Sequence, residues 1–335
     1  MNSSNDRPID ELVYASGYER AYGVNPSRYQ TLLVWQQQLA RFYKTPTWSN
    51  DDELVATLDR IDKKLEYLNE NRPLDESALA SLQESFRVDF THNSTAIEGN
   101  TLTLRETALV LTEGVTISEK PLKDHLEVID NDKALEYILR AVERTATLDS
   151  ELIKKIHAIV AHNDPAAIPV GEYATSLRTI TGSNVVPPPP ELIAQYLEDL
   201  ISSMPEQPSI TDTVRFHLVF EDIHPFNDGN GRTGRLLLNM MLIKQGYPPI
   251  VIKADPENRT AYYKAIDTFC DPEGDRDITP MLKVVANCVE NSLDQYLCIL
   301  PAKSLAEKVT EAEYQTDLNN SLSGKPNKNH DDLER

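Results

Sequence analysis

Apolar residues recur along most of this chain at spacings of three and four. Leu54, Leu58, Ile61, Leu65 and Leu68 draw one stripe; Leu79, Leu82, Phe86 and Phe90 draw a second, whose helix runs toward Ser94. Such spacing places each set on one face of an α-helix. Leu126, Ile129, Leu135, Ile138 and Leu139 predict a further helix, as do Leu152, Ile153, Ile156 and Ile159. Leu192, Ile193, Tyr196 and Leu197 begin another just after the prolines 187–190, and Met281, Leu282, Val285, Val289, Leu293 and Leu297 form a late one. These stripes are core faces. Strand signals are few: residues 177–181, closed by Gly182-Ser183-Asn184, read as a small hairpin or edge strand. The expected fold class is all-α, a helical bundle with one short β-hairpin flap.

Composition changes this picture mainly at the ends. Residues 1–30 are polar, and residues 303–335 hold four leucines and one valine among many charges. The expected organisation is an N-terminal helical segment (1–75), a core domain (76–300) and a polar, partly disordered tail (301–335). The formal net charge of −20 disfavours a surface built for nucleic-acid phosphates. A site for an anionic ligand in so acidic a chain has to be a local basic island. Three cysteines, Cys270, Cys288 and Cys298, form no C-x-x-C pair, which argues against a disulfide framework or zinc ribbon. Neither a secretory h-region at the N-terminus nor a membrane-length apolar run is visible, so a soluble, cytoplasmic protein without nucleic-acid or membrane partners is expected.

The chemistry concentrates in residues 224–235, HPFNDGNGRTGR. Gly229-Asn230-Gly231 can turn tightly and admit a ligand close to the backbone. The apolar run 236–243 follows at once, so the turn sits at a helix N-terminus, where free N–H groups and the helix dipole attract anions. Arg232 and Arg235, three apart, offer forked donors to phosphate oxygens from one face. Asp228 is a hard oxygen ligand suited to Mg²⁺ beside phosphates. His224 is the one group in the string able to change protonation near neutral pH. A base, a metal ligand, a phosphate cradle and two charge clamps together make a phosphoryl- or nucleotidyl-transfer site. The absence of G-x-x-x-x-G-K-[ST] excludes a P-loop.

The string resembles the motif of the Fic family, H-x-F-x-[D/E]-G-N-G-R-x-x-R, at every specified position. Residues 215–224 (RFHLVFEDIH) resemble the helix before that motif. Gly171-Glu172-Tyr173, then Ile180-Thr181-Gly182-Ser183 and Pro187–Pro190, resemble its flap, and Tyr262-Tyr263 its aromatic pair near the base. The resemblance covers roughly residues 75–300. It implies AMP transfer from ATP, with Mg²⁺, to Ser, Thr or Tyr hydroxyls of a protein bound along the flap. In that scheme His224 is the general base, and Asp228 holds Mg²⁺. Gly229, Asn230 and Gly231 cradle the phosphates, Arg232 stabilises the leaving pyrophosphate, and Arg235 grips the γ-phosphate. Thr233, Gly234, the flap residues Thr179, Ile180, Thr181 and Gly182, and Tyr262 and Tyr263 complete the expected ATP site. Phe226 is an expected core anchor and His217 a structural histidine. One position departs from the resemblance: an arginine is expected three residues after Gly171, where Ala174 stands, which leaves the flap register and the role of Arg178 open.

A second string, STAIEGN at 94–100, resembles the family's inhibitory motif [S/T]-x-x-x-E-[G/N] on a helix near 80–98, with Ser94 and Glu98 in the inhibitory roles. Alone it reads equally as a helix end with a glycine stop. Glu98 paired with Arg235 would occupy the donors meant for the γ-phosphate. The same groups could instead remove AMP from a modified protein, with Glu98 positioning water. A non-catalytic nucleotide-binding module and a metal hydrolase built on His217, Asp222, His224 and Asp228 are the readings from other classes. Homodimerisation follows from the resemblance only.

Overall fold

The computed structural model describes residues 48–49, 51–180, 182–271 and 274–300. The expectations for residues 1–47 and for the tail from 301 lie outside the described residues, as does Thr181. Ten α-helices stand in the described part: α1 Asp52–Glu70, α2 Glu76–Ile97, α3 Leu104–Glu113, α4 Leu122–Glu143, α5 Ser150–Val160, α6 Pro190–Ser202, α7 Ile210–Ile223, α8 Asn230–Lys244, α9 Pro256–Cys270 and α10 Thr279–Leu297. The predicted stripes therefore lie on helices α1, α2, α4, α5, α6 and α10.

Their starts have local causes. Asp51, Asp75 and Asp149 accept N–H bonds from the first turns of α1, α2 and α5. Thr103 with Glu106, and Ser209 with Asp212, form reciprocal capping boxes for α3 and α7. Pro190 occupies the first turn of α6, where its missing N–H costs nothing.

Helix α8 is the centre of the bundle. Residues 232–242 of it are all buried, and it packs on α7, α4, α5 and α2. The run Leu236-Leu237-Leu238 puts apolar side chains on successive faces, which requires such enclosure. Its lining joins one continuous core including Phe216, Phe220, Phe226, Leu236, Leu237 and Leu238. Helix α1 packs along α10 and completes the same core. The consequence for function is that the N-terminus of the most deeply held helix opens at the motif loop, so its unpaired N–H groups have a fixed direction.

The expected β-hairpin flap is corrected: among the described residues, 171–189 contain no strand. The backbone N–H groups of this segment go to three separate elements. Gly171 N–H donates to Nδ1 of His157 on α5 (2.9 Å), Ala174 N–H to the Pro225 carbonyl in the motif loop (2.9 Å), and Asn184 N–H to Asp267 on α9 (3.0 Å). A ladder needs successive bonds to one neighbouring strand, and here no neighbour runs alongside. The segment is a strap laid across the motif loop.

Gly171 is where that strap turns. It has φ +74°, and a Cβ there would lie 2.9 Å from Ala158 Cβ and 3.2 Å from the Lys154 carbonyl. Gly171→Ala combines left-handed strain with a clash against helix backbone. We expect it to lower stability by roughly 2–4 kcal/mol, visible as a reduced midpoint in thermal denaturation.

Candidate active site

His224 is the residue at which α7 ends. It adopts a left-handed conformation (φ 48°, ψ 60°), and its N–H still reaches back to the Phe220 carbonyl at 2.9 Å. Non-glycine residues enter that region at a cost, and histidine enters it more readily than most. The ring bonds to the Glu221 backbone carbonyl. Burial, with the nearby Arg178 guanidinium, pushes its pKa down to about 4, so the imidazole is neutral near pH 7.

The loop after it is braced from within. Asn230 Oδ1 accepts the Phe226 N–H and its Nδ2 donates to the Phe226 carbonyl, both at 2.8 Å. The Asn230 side chain is thus spent on the loop, leaving only its backbone N–H for an anion. Phe226 is fully buried, as expected of an anchor, and stacks on His157 with centroids 3.7 Å apart and planes 1° from parallel. His157 accepts the Gly171 N–H at Nδ1, so Nε2 carries the proton that it donates to the Asp228 carbonyl at 2.9 Å. Its pKa is pushed to about 4, chiefly by burial.

Gly229 (φ 77°) caps α8 without any side-chain bond. The first N–H groups of the helix are therefore open to an anion. Around this cradle stand both arginines of the motif, each buried. Arg232 Nη2 lies 3.0 Å from Asp164 Oδ2 and 3.4 Å from Asp228 Oδ1, and Nη1 lies 3.9 Å from Glu127. Asp164 and Glu127 carry no motif, and nothing in the sequence pattern marks them. Arg235 Nη2 donates to Glu98 Oε1 and to the Ser94 carbonyl, both at 2.7 Å; Nε donates to Ser94 Oγ at 3.2 Å.

Glu98 caps the C-terminus of α2, with Gly99 as its stop. Its side chain is 32% exposed, and it reaches over the N-terminus of α8. A Cβ on Gly231 would stand 2.4 Å from Glu98 Oε1. The carboxylate therefore rests on the anion cradle itself. Burial works against its charge, but Arg235 outweighs it and holds the carboxyl below the usual glutamate range. Tyr263 adds a phenol O–H to the Ile97 carbonyl (3.1 Å) and faces Glu98 Oε2 at 3.4 Å.

The other expected site residues separate. Tyr262 is buried, receiving Arg235 Nη1 at 3.5 Å and facing His217 Nε2 at 3.0 Å. His217 is a buried structural histidine, its pKa pushed to about 3 by burial. Thr233 is buried, and Gly234 faces Glu221, His217 and Phe220 in the α7–α8 contact. Thr179 is exposed beside the loop, Ile180 packs partly on the core, and Gly182 turns at φ +80° before the Asp267 anchor. Asp222 pairs with Arg276 at 2.7 Å, away from any joint role with His224.

Glu221 is buried beneath this arrangement, with Oε1 lacking a hydrogen-bond partner. Burial raises its pKa to about 8 from an ordinary 4.5. The folded state keeps a proton that the unfolded chain releases above pH 4.5, so stability falls as pH rises from 4.5 through about 8. Glu221→Gln cannot ionise. Its stability relative to the parent is expected to improve progressively between pH 5 and pH 8, by up to about 1.4 kcal/mol per pH unit; thermal denaturation at both pH values checks this.

Residues 147–242 match the model of the Fic/DOC family. Protein adenylyltransferase Fic of Drosophila willistoni is 31% identical over 287 residues, covering 84% of this chain and 54% of that protein. The Drosophila persimilis protein of the same name is 33% identical over 258 residues, 73% of this chain and 48% of its own length. The chain thus spans about half the length of the curated relatives it matches. Among solved structures, a Fic domain containing signaling protein from Bacteroides thetaiotaomicron superposes with TM-score 0.63 at 25% identity, covering 72% of this chain and 97% of that one. Fic-1 from C. elegans gives 0.62 at 28%, covering 73% and 74%. The chain carries a Fic domain.

Proposed function

We propose that this protein is an adenylyltransferase that moves AMP from ATP to a hydroxyl of a protein, and that Glu98 inhibits it. The observation that carries the proposal is the position of the Glu98 carboxylate, on the α8 N-terminus and bonded to Arg235. A carboxylate bonded to a buried guanidinium beside an open helix N-terminus occupies a phosphate site. Remove it, and the same donors face a nucleotide.

The steps follow from the residues. The triphosphate lies along the open N–H groups of residues 230 and 231, the Gly229 N–H being held by Asp228 Oδ1, with Arg235 on its terminal phosphate and Arg232 at the leaving pyrophosphate. Neutral His224 takes the proton of the attacking hydroxyl. The oxygen bonds to the α-phosphorus, and the bond to the β-phosphate oxygen breaks. Arg232 is fixed for its part by Asp164 and Glu127, which leave its guanidinium few other orientations. Tyr262 backs Arg235 from the core side.

Asp228 suits a Mg²⁺ ion. Its side chain is 42% exposed beside the cradle. Mg²⁺ takes one or two carboxylates and completes its shell with phosphate and water. No group of three or more His, Cys, Asp or Glu among the described residues would hold a metal alone. Bound there, the ion would supply positive charge to the α- and β-phosphates.

The strap across the loop suits an extended target segment, which could pair with it through main-chain bonds and align a hydroxyl without one required sequence. No helix of the described residues is long and apolar enough to cross a membrane. The 76–300 core as the catalytic domain, with α1 of the N-terminal segment packed into that core, and a homodimer belong to the same proposal.

The Glu98→Gly protein, incubated in parallel with ATP labelled at the α- or the γ-phosphate, tests the reaction. Covalent label from the α-position alone is expected. Label from the γ-position would make the protein a kinase, and label from neither would remove the transfer reading.

A further inference from the structure

The loop that carries His224 exposes a run of backbone carbonyls, because it leaves α7 in a left-handed turn and has not yet entered α8. Pro225 removes one N–H from this stretch. Three successive carbonyls, of residues 224, 225 and 226, are received by the strap. The Ala174 N–H takes the middle one at 2.9 Å. Arg178 Nη1 donates to the other two, those of His224 and Phe226.

The guanidinium has no acidic partner. None of the ion pairs among the described residues includes it, and its Nε and Nη2 are buried without a hydrogen-bond partner. A buried cation of this kind is destabilising unless something else requires it. Burial also lowers the pKa of the Arg178 side chain to about 10, which records the same penalty. Fold stability alone would be better served by an apolar residue, like neighbouring Leu177 and Ile180. Residues held in sparsely populated conformations persist only where surroundings over-determine them, and His224 is one.

We propose that Arg178 is a positioning residue, whose guanidinium clamps the carbonyls on both sides of Pro225 and so holds His224 in its left-handed conformation beside the phosphate cradle. The proposal rests on the AMP-transfer reading for its kinetic meaning, but not for its structural one. Loop integrity has other supports: Asn230 and His157 brace Phe226 and Asp228 independently. Loss of Arg178 therefore frees the histidine end of the loop without unfolding α7 or α8. The cation also faces His224 and favours its neutral, proton-accepting form, consistent with the role.

The test uses the Glu98→Gly protein as parent, with Arg178→Met and Arg178→Lys added separately. The kcat for transfer is expected to fall on the order of 10²-fold in Arg178→Met, since displacement of a catalytic group by an ångström costs about that. The KM for ATP is expected to stay within about threefold, because the cradle and both motif arginines are untouched. Arg178→Lys, which keeps the charge and can donate to both carbonyls, should recover part of the loss. Amide hydrogen exchange should quicken in a peptide spanning residues 223–230 and stay slow across 236–242. Unchanged kcat with unchanged loop exchange overturns the proposal, as does a loss of activity accompanied by faster exchange throughout α8, which marks a merely structural role. If the parent transfers no AMP, the AMP-transfer reading fails, while loop exchange in Arg178→Met still decides whether the clamp exists.

Discussion

Glu98→Gly is expected to raise AMP transfer roughly 10–100-fold over the parent, measured as incorporation of α-labelled phosphate at saturating ATP. The size follows from what the substitution removes. The carboxylate makes a charge-assisted bond of 2.7 Å to Arg235 and lies over the α8 N-terminus at Gly231. Hydrogen bonds to charged groups contribute about 1.5–3 kcal/mol, and a triphosphate has to displace this one before its terminal phosphate can use the same donors. Arg235 would not be left disordered by the change. Ser94 still accepts from Nε and Nη2, and Tyr262 from Nη1, so the guanidinium keeps its direction while its remaining donors become free. Equal labelling of the two proteins would remove the inhibitory role of Glu98, and leave its position to be explained as a helix end alone.

His224→Ala in the Glu98→Gly background is expected to reduce transfer by about 10²–10⁴-fold, the range of a positioned general base. ATP affinity, read by calorimetry, should change little, because the cradle is built from α8 and its arginines. The combination separates base loss from site loss. Alanine also lacks any group that the Glu221 carbonyl could receive, so the loop loses one tie. Loop exchange in this variant should be compared with that in Arg178→Met to keep the two effects apart. Transfer retained at parental level would remove the base role of His224 and assign the proton to another group.

The helical stripes and the two motif strings were legible because each depends on residues close in sequence. Period 3–4 apolarity marks a buried face wherever that face ends up, and an intact glycine turn before an apolar run marks an open helix N-terminus. His224, Asp228, Gly229, Arg232 and Arg235 lie within one loop and the helix it opens, so their joint chemistry needs no long-range fold to be recognised.

The strap reads as a hairpin in the sequence because its apolar and β-branched residues resemble a strand, while strand status depends on whether a neighbour runs alongside. Here its N–H groups meet α5, the motif loop and α9 in turn. Asn230 reads as a phosphate donor from its place in the turn; only the folded loop shows its amide closing on Phe226.

By itself, then, the sequence marked the helices, the open helix N-terminus that follows the glycine turn, and an acidic residue at the end of an upstream helix. The tertiary structure decided that Glu98 reaches that cradle, 137 positions upstream of the Arg235 it holds. It also brought in Asp164, Glu127, His157 and Arg178, single residues of common type that carry no local pattern. The physical reason is range: periodicity and turn chemistry act over a few residues, whereas charge pairing and carbonyl clamping act across space and depend on which helices pack together.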